Sequence, residues 1–201
     1  MCTGKCSKCI GVTLLPLAVG CIIANILLFF PDFQLKYVQD TSMLTPEVLY
    51  LGGIIGGGAL ILFPAIHIHA TGSKGCCANR CGMFLSIIFA LLGMVGSCYC
   101  LILSALGLVN GPTCRVTSEN WTRPFFITEE SVELSEDNYL FNPERWNECL
   151  EPKNVVLFNV VLFALLICFC SIELVLCLIQ TINGLFGCLC GTCRSRRGMP
   201  V

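Results

Sequence analysis

Charged residues are scarce in this sequence. Asp, Glu, Lys and Arg together make up 12% of its 201 residues, whereas hydrophobic residues make up 55%. A soluble domain carries about 25% charged residues, so the composition excludes an ordinary water-soluble core and indicates a membrane protein. The few basic residues form no patch large enough for nucleic-acid binding.

Patterns typical of enzymes are lacking as well. The sequence contains no nucleophile–base pairing, no glycine-rich loop that would cradle a phosphate and no metalloenzyme motif. His67 and His69 are two residues apart, so on a helix they do not share a face. We therefore expect no enzymatic activity, no cofactor and no metal site at these histidines.

Four long apolar runs account for most of the chain. A bilayer core needs about 20 apolar residues in a helix, so each run predicts a membrane-spanning helix. The first run ends at Phe30-Pro31 without a small-residue cleavage site, which favours a span over a signal peptide. The predicted fold class is an all-α bundle of four transmembrane helices at 10–30, 48–70, 83–109 and 155–186.

The charges are segregated by sign. The terminal segments 1–9 and 187–201 and the connection 71–82 hold seven basic residues and no acidic one. The connections 31–47 and 110–154 hold five basic and 12 acidic residues. The positive-inside rule therefore predicts that both termini are cytoplasmic. It makes the two acidic connections a small and a large extracellular loop, with the plasma membrane as the expected location.

Only two of the 17 cysteines, Cys114 and Cys149, lie in the large loop. Disulfides persist in oxidising compartments and thiols in the cytosol, so we expect these two to pair; the alternative is two free thiols. The bond would enclose 34 residues and constrain the unfolded chain by about 3–4 kcal/mol in the chain-entropy model.

Nine other cysteines lie near the cytoplasmic ends of spans, beside basic residues. This is the setting for S-palmitoylation, in which each buried methylene adds about 0.8 kcal/mol of membrane affinity. The alternative is zinc, because Cys6-x-x-Cys9 and Cys190-x-x-Cys193 have half-site spacing. The palmitoylation candidates are Cys2, Cys6, Cys9, Cys76, Cys77, Cys81, Cys188, Cys190 and Cys193.

The cysteines inside spans are expected to be small packing residues: Cys21, Cys98, Cys100, Cys168, Cys170 and Cys177.

The large loop carries a glycosylation signal and several aromatic residues. Asn120-Trp121-Thr122 is an N-glycosylation sequon on the extracellular side of the predicted topology. The aromatic set indicates either a small core for the loop or a partner-binding patch, and both interpretations stay open. Its members are Trp121, Phe125, Phe126, Tyr139, Phe141 and Trp146.

Small residues in the second span predict close helix packing. Gly52 and Gly56, like Gly53 and Gly57, are four residues apart, which lets two helices approach closely. Gly93-x-x-x-Ser97 in the third span is a candidate for the facing surface. Packing within one bundle is favoured over a partner-binding face.

Glu173 is the acidic residue inside a predicted span. Ionisable groups are costly within a bilayer and are functional suspects for that reason. A protonated carboxyl that hydrogen-bonds inside the bundle is the favoured interpretation over a transport path. Asn25 is a second intramembrane polar residue, expected nearer the outer leaflet, and we find no relay between the two.

Several short motifs together resemble the transmembrane four L six family, whose architecture is related to that of tetraspanins. In chain order, these motifs include Met1-Cys2-x-x-Lys5-Cys6-x-x-Cys9, Asn25-Ile26-Leu27-Leu28, Gly52-Gly53, Gly111-Pro112-x-Cys114, Trp146-Asn147-Glu148-Cys149-Leu150-Glu151-Pro152 and Cys190-Gly191-x-Cys193. The connection 71–82 is shorter than the family pattern, and Asn159, followed by Val160-Val161, lacks a sequon expected there.

The resemblance implies a non-enzymatic, tetraspanin-like organiser at the cell surface. Its expected partners are membrane lipid and integrin- or receptor-like membrane proteins, with effects on adhesion, motility or proliferation. Homo-oligomerisation stays open. The alternative function is a small-molecule transporter or channel subunit that uses Glu173.

Overall fold

A computed structural model of the chain describes residues 3–72, 80–117, 121–126 and 138–190. Over these residues the helices are α1 Thr3–Leu28, α2 Pro46–Leu49, α3 Leu60–Gly72, α4 Arg80–Asn110 and α5 Val155–Cys190, with a π-helix Gly52–Ala59 that runs into α3. Four helical stretches are long and apolar enough to cross a membrane: Gly4–Leu28, Gly52–Ala70, Cys81–Asn110 and Val155–Cys188. The predicted all-α fold with four spans is confirmed.

The long helices form an up-and-down bundle. α1 packs against α3 and α5, and α4 packs against α3 and α5. We call the end that holds Leu28, Gly52, Asn110 and Val155 the loop end, and the opposite end the terminal end. Two apolar clusters fill the interior, one around Leu166 towards the loop end and one around Ile61 towards the terminal end.

The outer surface of the bundle is as apolar as its interior. Phe63 is 67% exposed and Val95 is 65% exposed. A helix that is apolar on all sides suits a hydrocarbon environment. The outer face of each helix is therefore suited to lipid, and its inner face packs against the neighbouring helices.

The second span does not begin where the apolar run begins. Pro46 starts the single-turn helix α2, and Leu51 then adopts a left-handed conformation with φ 54°. The membrane-length helix starts only at Gly52. The sequence predicted a transmembrane helix at 48–70, and the turn at Leu51 delays its start to Gly52.

Four of the five glycines of the π-helix lie against two different helices. A Cβ atom placed on Gly53 would lie 2.7 Å from Asn25 Cβ of α1, and one on Gly57 would lie 2.8 Å from Cys21 Sγ. On the other side, a Cβ on Gly56 would lie 2.6 Å from Gly96 O of α4. The side chain of Leu103, also on α4, lies 3.0 Å from the Cβ position of Gly52.

These contacts are within one bundle, as the sequence favoured, but the facing residue is different. Gly96 rather than the pair Gly93 and Ser97 meets the π-helix. Gly93 instead lies against Cys177 and Ile61, and Ser97 donates a hydrogen bond to Gly93 O at 2.9 Å.

The loop end carries short elements. The first connection contains 3-10 turns at Pro31–Phe33, Leu35–Tyr37 and Thr41–Met43. The second contains strands β1 Cys114–Arg115 and β2 Trp121–Thr122, which pair antiparallel, and a 3-10 helix Pro143–Glu148. The Glu151–Pro152 peptide bond is cis.

Replacing Gly53 with alanine tests the close approach of the π-helix to α1. The added methyl group would lie 2.7 Å from Asn25 Cβ and 2.8 Å from Cys21 O. We expect a loss of about 1–3 kcal/mol, the usual cost of overpacking, measured as a lower unfolding midpoint in detergent. Ile55→Val is the matched control, since Ile55 is 43% exposed on the same π-helix. A Gly53→Ala protein as stable as the control would contradict this packing.

Candidate functional site

The second connection is closed at its base. Cys114 and Cys149 form the predicted disulfide, with their Cα atoms 5.5 Å apart. Beside it, Arg115 N donates to Glu151 O and Leu150 N donates to Arg115 O, both at 2.9 Å. The start and end of the connection are thus joined by one covalent bond and two backbone hydrogen bonds. We call residues 111–117, 121–126 and 138–154 the platform.

A small aromatic core stabilises the platform. Phe125 and Tyr139 are buried and stack with their ring centroids 4.5 Å apart. The Tyr139 hydroxyl donates to Leu108 O at the end of α4, and Trp146 Nε1 donates to Tyr139 O at 2.8 Å. Burial raises the pKa of the Tyr139 hydroxyl, so it stays a neutral donor. The platform is therefore fixed to the bundle by this tyrosine.

An ion pair joins the first connection to the platform. Arg123 Nη2 lies 2.9 Å from Glu47 Oε1 and 2.8 Å from Glu47 Oε2. Glu47 is 8% exposed and Arg123 is 19% exposed. The same carboxylate accepts from Asn110 Nδ2 at 3.0 Å, and Arg123 also donates to Gly111 O at 3.2 Å. Both charges are thus shielded from solvent and have several partners, which makes the pair stronger than an exposed one.

Neutral contacts run alongside this ion pair. Thr113 donates through its amide to Thr45 Oγ1 at 3.4 Å and through its hydroxyl to Leu44 O at 3.2 Å. The rings of Tyr37 and Trp121 meet edge to face at 5.8 Å. The two connections therefore form one surface rather than two separate loops.

The aromatic residues of the platform divide into two groups. Phe125 and Tyr139 form its core, as described above, whereas Phe126 is 51% exposed and Phe141 is 64% exposed. The Arg123 guanidinium lies 5.2 Å from the Phe126 ring centroid. Phe125 and Tyr139 thus support the interpretation as a core, whereas for the exposed Phe126 and Phe141 a partner-binding patch stays a prediction.

A group of thiols and one carboxyl lies in the interior of the bundle. Cys21 of α1, Cys100 of α4 and Cys170 of α5 have their sulfur atoms within 4.8 Å of one another. Cys21 Sγ lies 3.8 Å from Cys170 Sγ and donates to Glu173 Oε1 at 3.7 Å. All four side chains are fully buried. Glu173 Oε2 is buried and has no hydrogen-bond partner. We call these four residues the thiol–carboxyl cluster.

Asn25 has a structural role. Its Oδ1 accepts a hydrogen bond from Ile54 N at 3.1 Å. Ile54 is in the first turn of the π-helix, where backbone N–H groups lack partners within the helix. Asn25 therefore caps the start of the second span from α1, which matters because the hydrocarbon core contains no water that could do so.

A second polar network lies at the terminal end. Gln180 Nε2 donates to Ser7 Oγ and Ser86 Oγ, both at 3.1 Å, and Asn183 Nδ2 donates to Ser7 Oγ at 2.9 Å. Ser7, Ser86 and Gln180 are fully buried. This network connects α1, α4 and α5 through neutral hydrogen bonds.

The predicted modification sites are only partly within the described residues. Cys9 and Cys81 are exposed at the terminal end, and Cys6 is partly buried there. Cys188 is also partly buried, and Cys190 is the last residue of α5. The remaining predicted sites lie outside the described residues: Asn120, Cys2, Cys76, Cys77 and Cys193.

Sequence reasoning missed two arrangements. Glu47 and Arg123 are 76 residues apart, and no local pattern links them. Cys170 and Glu173 are three residues apart, so they share a helix face, and this was a signal that the thiol and the carboxyl lie together. The positions of Cys21 and Cys100 beside them depend on how the helices pack.

Comparison with known proteins identifies close relatives. The model of the L6 membrane protein family matches residues 1–194. The chain is 44% identical to Transmembrane 4 L6 family member 4 of Rattus norvegicus, over 96% of this chain and 95% of that protein. It is 43% identical to Transmembrane 4 L6 family member 1 of Homo sapiens, over 98% of each chain. Identity to Transmembrane 4 L6 family member 5 of Homo sapiens is 40% over 100% of each chain. No solved structure matches the chain.

Replacing Arg123 with methionine tests the ion pair between the two connections. The change leaves the Glu47 carboxylate, 8% exposed, without its cation. Removing one partner of a buried pair costs about 3–5 kcal/mol, and the partial exposure of Arg123 lowers this. We expect about 2–3 kcal/mol, read as a lower unfolding midpoint in detergent and as faster proteolysis of the platform.

Lys36→Met is the matched control for this change. Lys36 lies 3.8 Å from Glu151 and its side chain is 57% exposed, and an exposed pair contributes about 0–1 kcal/mol. Equal stability of the Arg123→Met and Lys36→Met proteins would show that the ion pair does not hold the platform.

Proposed function

The chain belongs to the L6 membrane protein family, and from this membership and the geometry of the platform we propose that it is a non-enzymatic organiser of other membrane proteins. It associates laterally with integrin- or receptor-like proteins and so modulates adhesion, motility or proliferation. Membrane lipid surrounds the apolar outer face of the bundle, and homo-oligomerisation is a further mode of association.

The observation that carries this proposal is the platform itself. It is closed by the Cys114–Cys149 disulfide and has its own buried core. Phe126 and Phe141 nevertheless remain exposed on it. Exposed aromatic side chains on a rigid surface are the residues that anchor protein–protein contacts, because they bury a large area at low entropic cost.

The orientation of the chain is part of the proposal. The segregation of charge along the sequence supports cytoplasmic termini and an extracellular platform, because segments 1–9, 71–82 and 187–201 hold seven basic residues and no acidic one, and segments 31–47 and 110–154 hold 12 acidic residues. We place the protein at the plasma membrane, with a glycan on Asn120 and acyl chains on the terminal-end cysteines. Cys9 and Cys81 are accessible for such acylation.

The test is co-purification from cells in a mild detergent. The Phe126→Ser/Phe141→Ser protein is expected to lose most of the surface proteins that the native chain recovers. Lys153→Ser, another exposed position of the platform, is the matched control and should recover them all. A second copy with a different tag reports self-association in the same experiment. A native chain that purifies alone, or unchanged recovery by the double variant, would overturn the proposal.

Two further variants separate the platform from the membrane anchor. Cys114→Ser/Cys149→Ser opens the platform, and replacement of the nine terminal-end cysteines removes the proposed acyl sites. Loss of partners in the first variant but not in the second would assign recognition to the platform alone. Full recovery of partners in both variants would contradict a role for either.

The alternative is a transporter or channel subunit, and Glu173 is the observation that favours it. Its carboxyl is fully buried in the bundle with Oε2 lacking a hydrogen-bond partner. In reconstituted vesicles, Glu173→Gln is then expected to change solute flux while partner recovery remains intact. Ser171→Ala on the same helix is the control. Equal flux in the native and Glu173→Gln proteins would reject this alternative.

A further inference from the structure

The thiol–carboxyl cluster has the composition of a metal-binding site. Thiolate sulfur is the ligand preferred by Zn²⁺ and Cu⁺, and Zn²⁺ also accepts carboxylate oxygen. The three sulfur atoms come from three helices that are distant in the sequence, yet they lie within 4.8 Å of one another. Packing alone does not require three thiols at one point, because alanine or serine would fill similar space.

The spacing of the sulfur atoms fits tetrahedral coordination. With Zn–S bonds of about 2.3 Å, two ligands at the tetrahedral angle lie about 3.8 Å apart. The observed distance between Cys21 Sγ and Cys170 Sγ is 3.8 Å. Cys100 Sγ lies within 4.8 Å of both other sulfur atoms. Small changes of its side-chain angles would therefore bring this sulfur to bonding distance from a metal ion held by the other two.

Glu173 supplies the independent observation that points to a ligand. It is fully buried, Oε1 faces Cys21 Sγ at 3.7 Å, and Oε2 has no hydrogen-bond partner. A buried oxygen without a partner is costly in a protein interior. A cation bound among the sulfur atoms would provide that partner. Glu173 lies outside the 4.8 Å group that the three sulfur atoms form, so its carboxylate would become the fourth ligand by a change of its side-chain angles.

The backbone around the cluster leaves room for these ligands. A Cβ atom on Gly57 would lie 2.8 Å from Cys21 Sγ and 3.1 Å from Cys170 Sγ. Glycine at this position therefore lets the π-helix pass close to two of the sulfur atoms. Short π-helical segments are rare and occur frequently at functional sites.

We propose that Cys21, Cys100, Cys170 and Glu173 form a binding site for a thiophilic d¹⁰ metal ion, Zn²⁺ or Cu⁺, in the interior of the bundle. The ion connects α1, α4 and α5, and each ligand that ionises on binding releases its proton to solvent. Charge favours Zn²⁺ over Cu⁺, because the dication leaves less uncompensated negative charge on three thiolates and one carboxylate, and a buried net charge is costly. The cluster is fully buried, so the ion enters as the helices assemble. This site does not depend on the organiser function.

The first test is the metal content of the full-length protein, purified through a tag that contains neither histidine nor cysteine. Elemental analysis is expected to find about one Zn or Cu per chain. The nine terminal-end cysteines are replaced in this background, so that the zinc alternative at Cys6, Cys9, Cys190 and Cys193 cannot contribute. Metal well below one per chain after growth with added Zn²⁺ or Cu²⁺ would overturn the proposal.

Single replacements identify the ligands. Cys21→Ala, Cys100→Ala and Cys170→Ala should each lose the metal. Cys177→Ala should retain it, since Cys177 is equally buried on α5 but is outside the cluster. The nearly isosteric Glu173→Gln should lose the metal to a chelator at least about tenfold more readily. Metal content that is the same in all these proteins would assign it to adventitious binding and reject the site.

Two measurements on the protein that lacks only the nine terminal-end cysteines and keeps all four cluster residues make the test valid if a cluster variant does not fold. Reconstitution with Co²⁺ should produce a thiolate-to-cobalt charge-transfer band, and a chelator should lower the unfolding midpoint. Absence of both effects would contradict the proposal. So would a disulfide within the cluster, which would give an intact metal-free mass four hydrogen atoms below that of the fully reduced chain, because the Cys114–Cys149 disulfide already accounts for two of them.

Discussion

Close approach of the π-helix to its neighbours is the constraint on which the bundle depends. Lipid tails are as apolar as the helix interiors, so helices in a bilayer gain little from hydrophobic burial and must associate through packing and hydrogen bonds. Gly53 and Gly57 provide this packing against α1, and Gly56 provides it against Gly96 of α4. The hydrogen bond from Ile54 N to Asn25 then fixes the height of α1 relative to the second span.

The polar groups inside the bundle occur at separate depths. Asn25 caps the π-helix near the loop end, the thiol–carboxyl cluster lies deeper, and the Gln180 network is near the terminal end. Asn25 and the Gln180 network are neutral, and their side chains form the hydrogen bonds described above. Glu173 differs, because it is ionisable and one of its oxygens has no partner. This difference makes Glu173, unlike the other two groups, a candidate for a functional role.

The architecture of this chain was accessible from sequence because its signals are long and additive. Runs of more than 20 apolar residues and a consistent bias in charge do not depend on which helix touches which. The disulfide was accessible because the connection 110–154 contains only two cysteines. The ion pair between Glu47 and Arg123 and the meeting of Cys21 with Cys100 were not, since both arise from tertiary packing between distant segments. Gly96 rather than Gly93 contacts the π-helix because of the rotation of α4 about its axis. The periodicity of the sequence alone does not determine that rotation.

The contacts between the two connections have a practical consequence for raising antibodies against this protein. Glu47 and Thr45 come from the first connection, and Arg123 and Thr113 come from the second, yet they form one continuous surface. A synthetic peptide copied from either connection contains only one side of each of these contacts and so forms none of them. Antibodies raised against such peptides are therefore expected to recognise the denatured chain on a blot better than the folded chain. Immunisation with the folded protein in a lipid nanodisc would present the composite epitope instead.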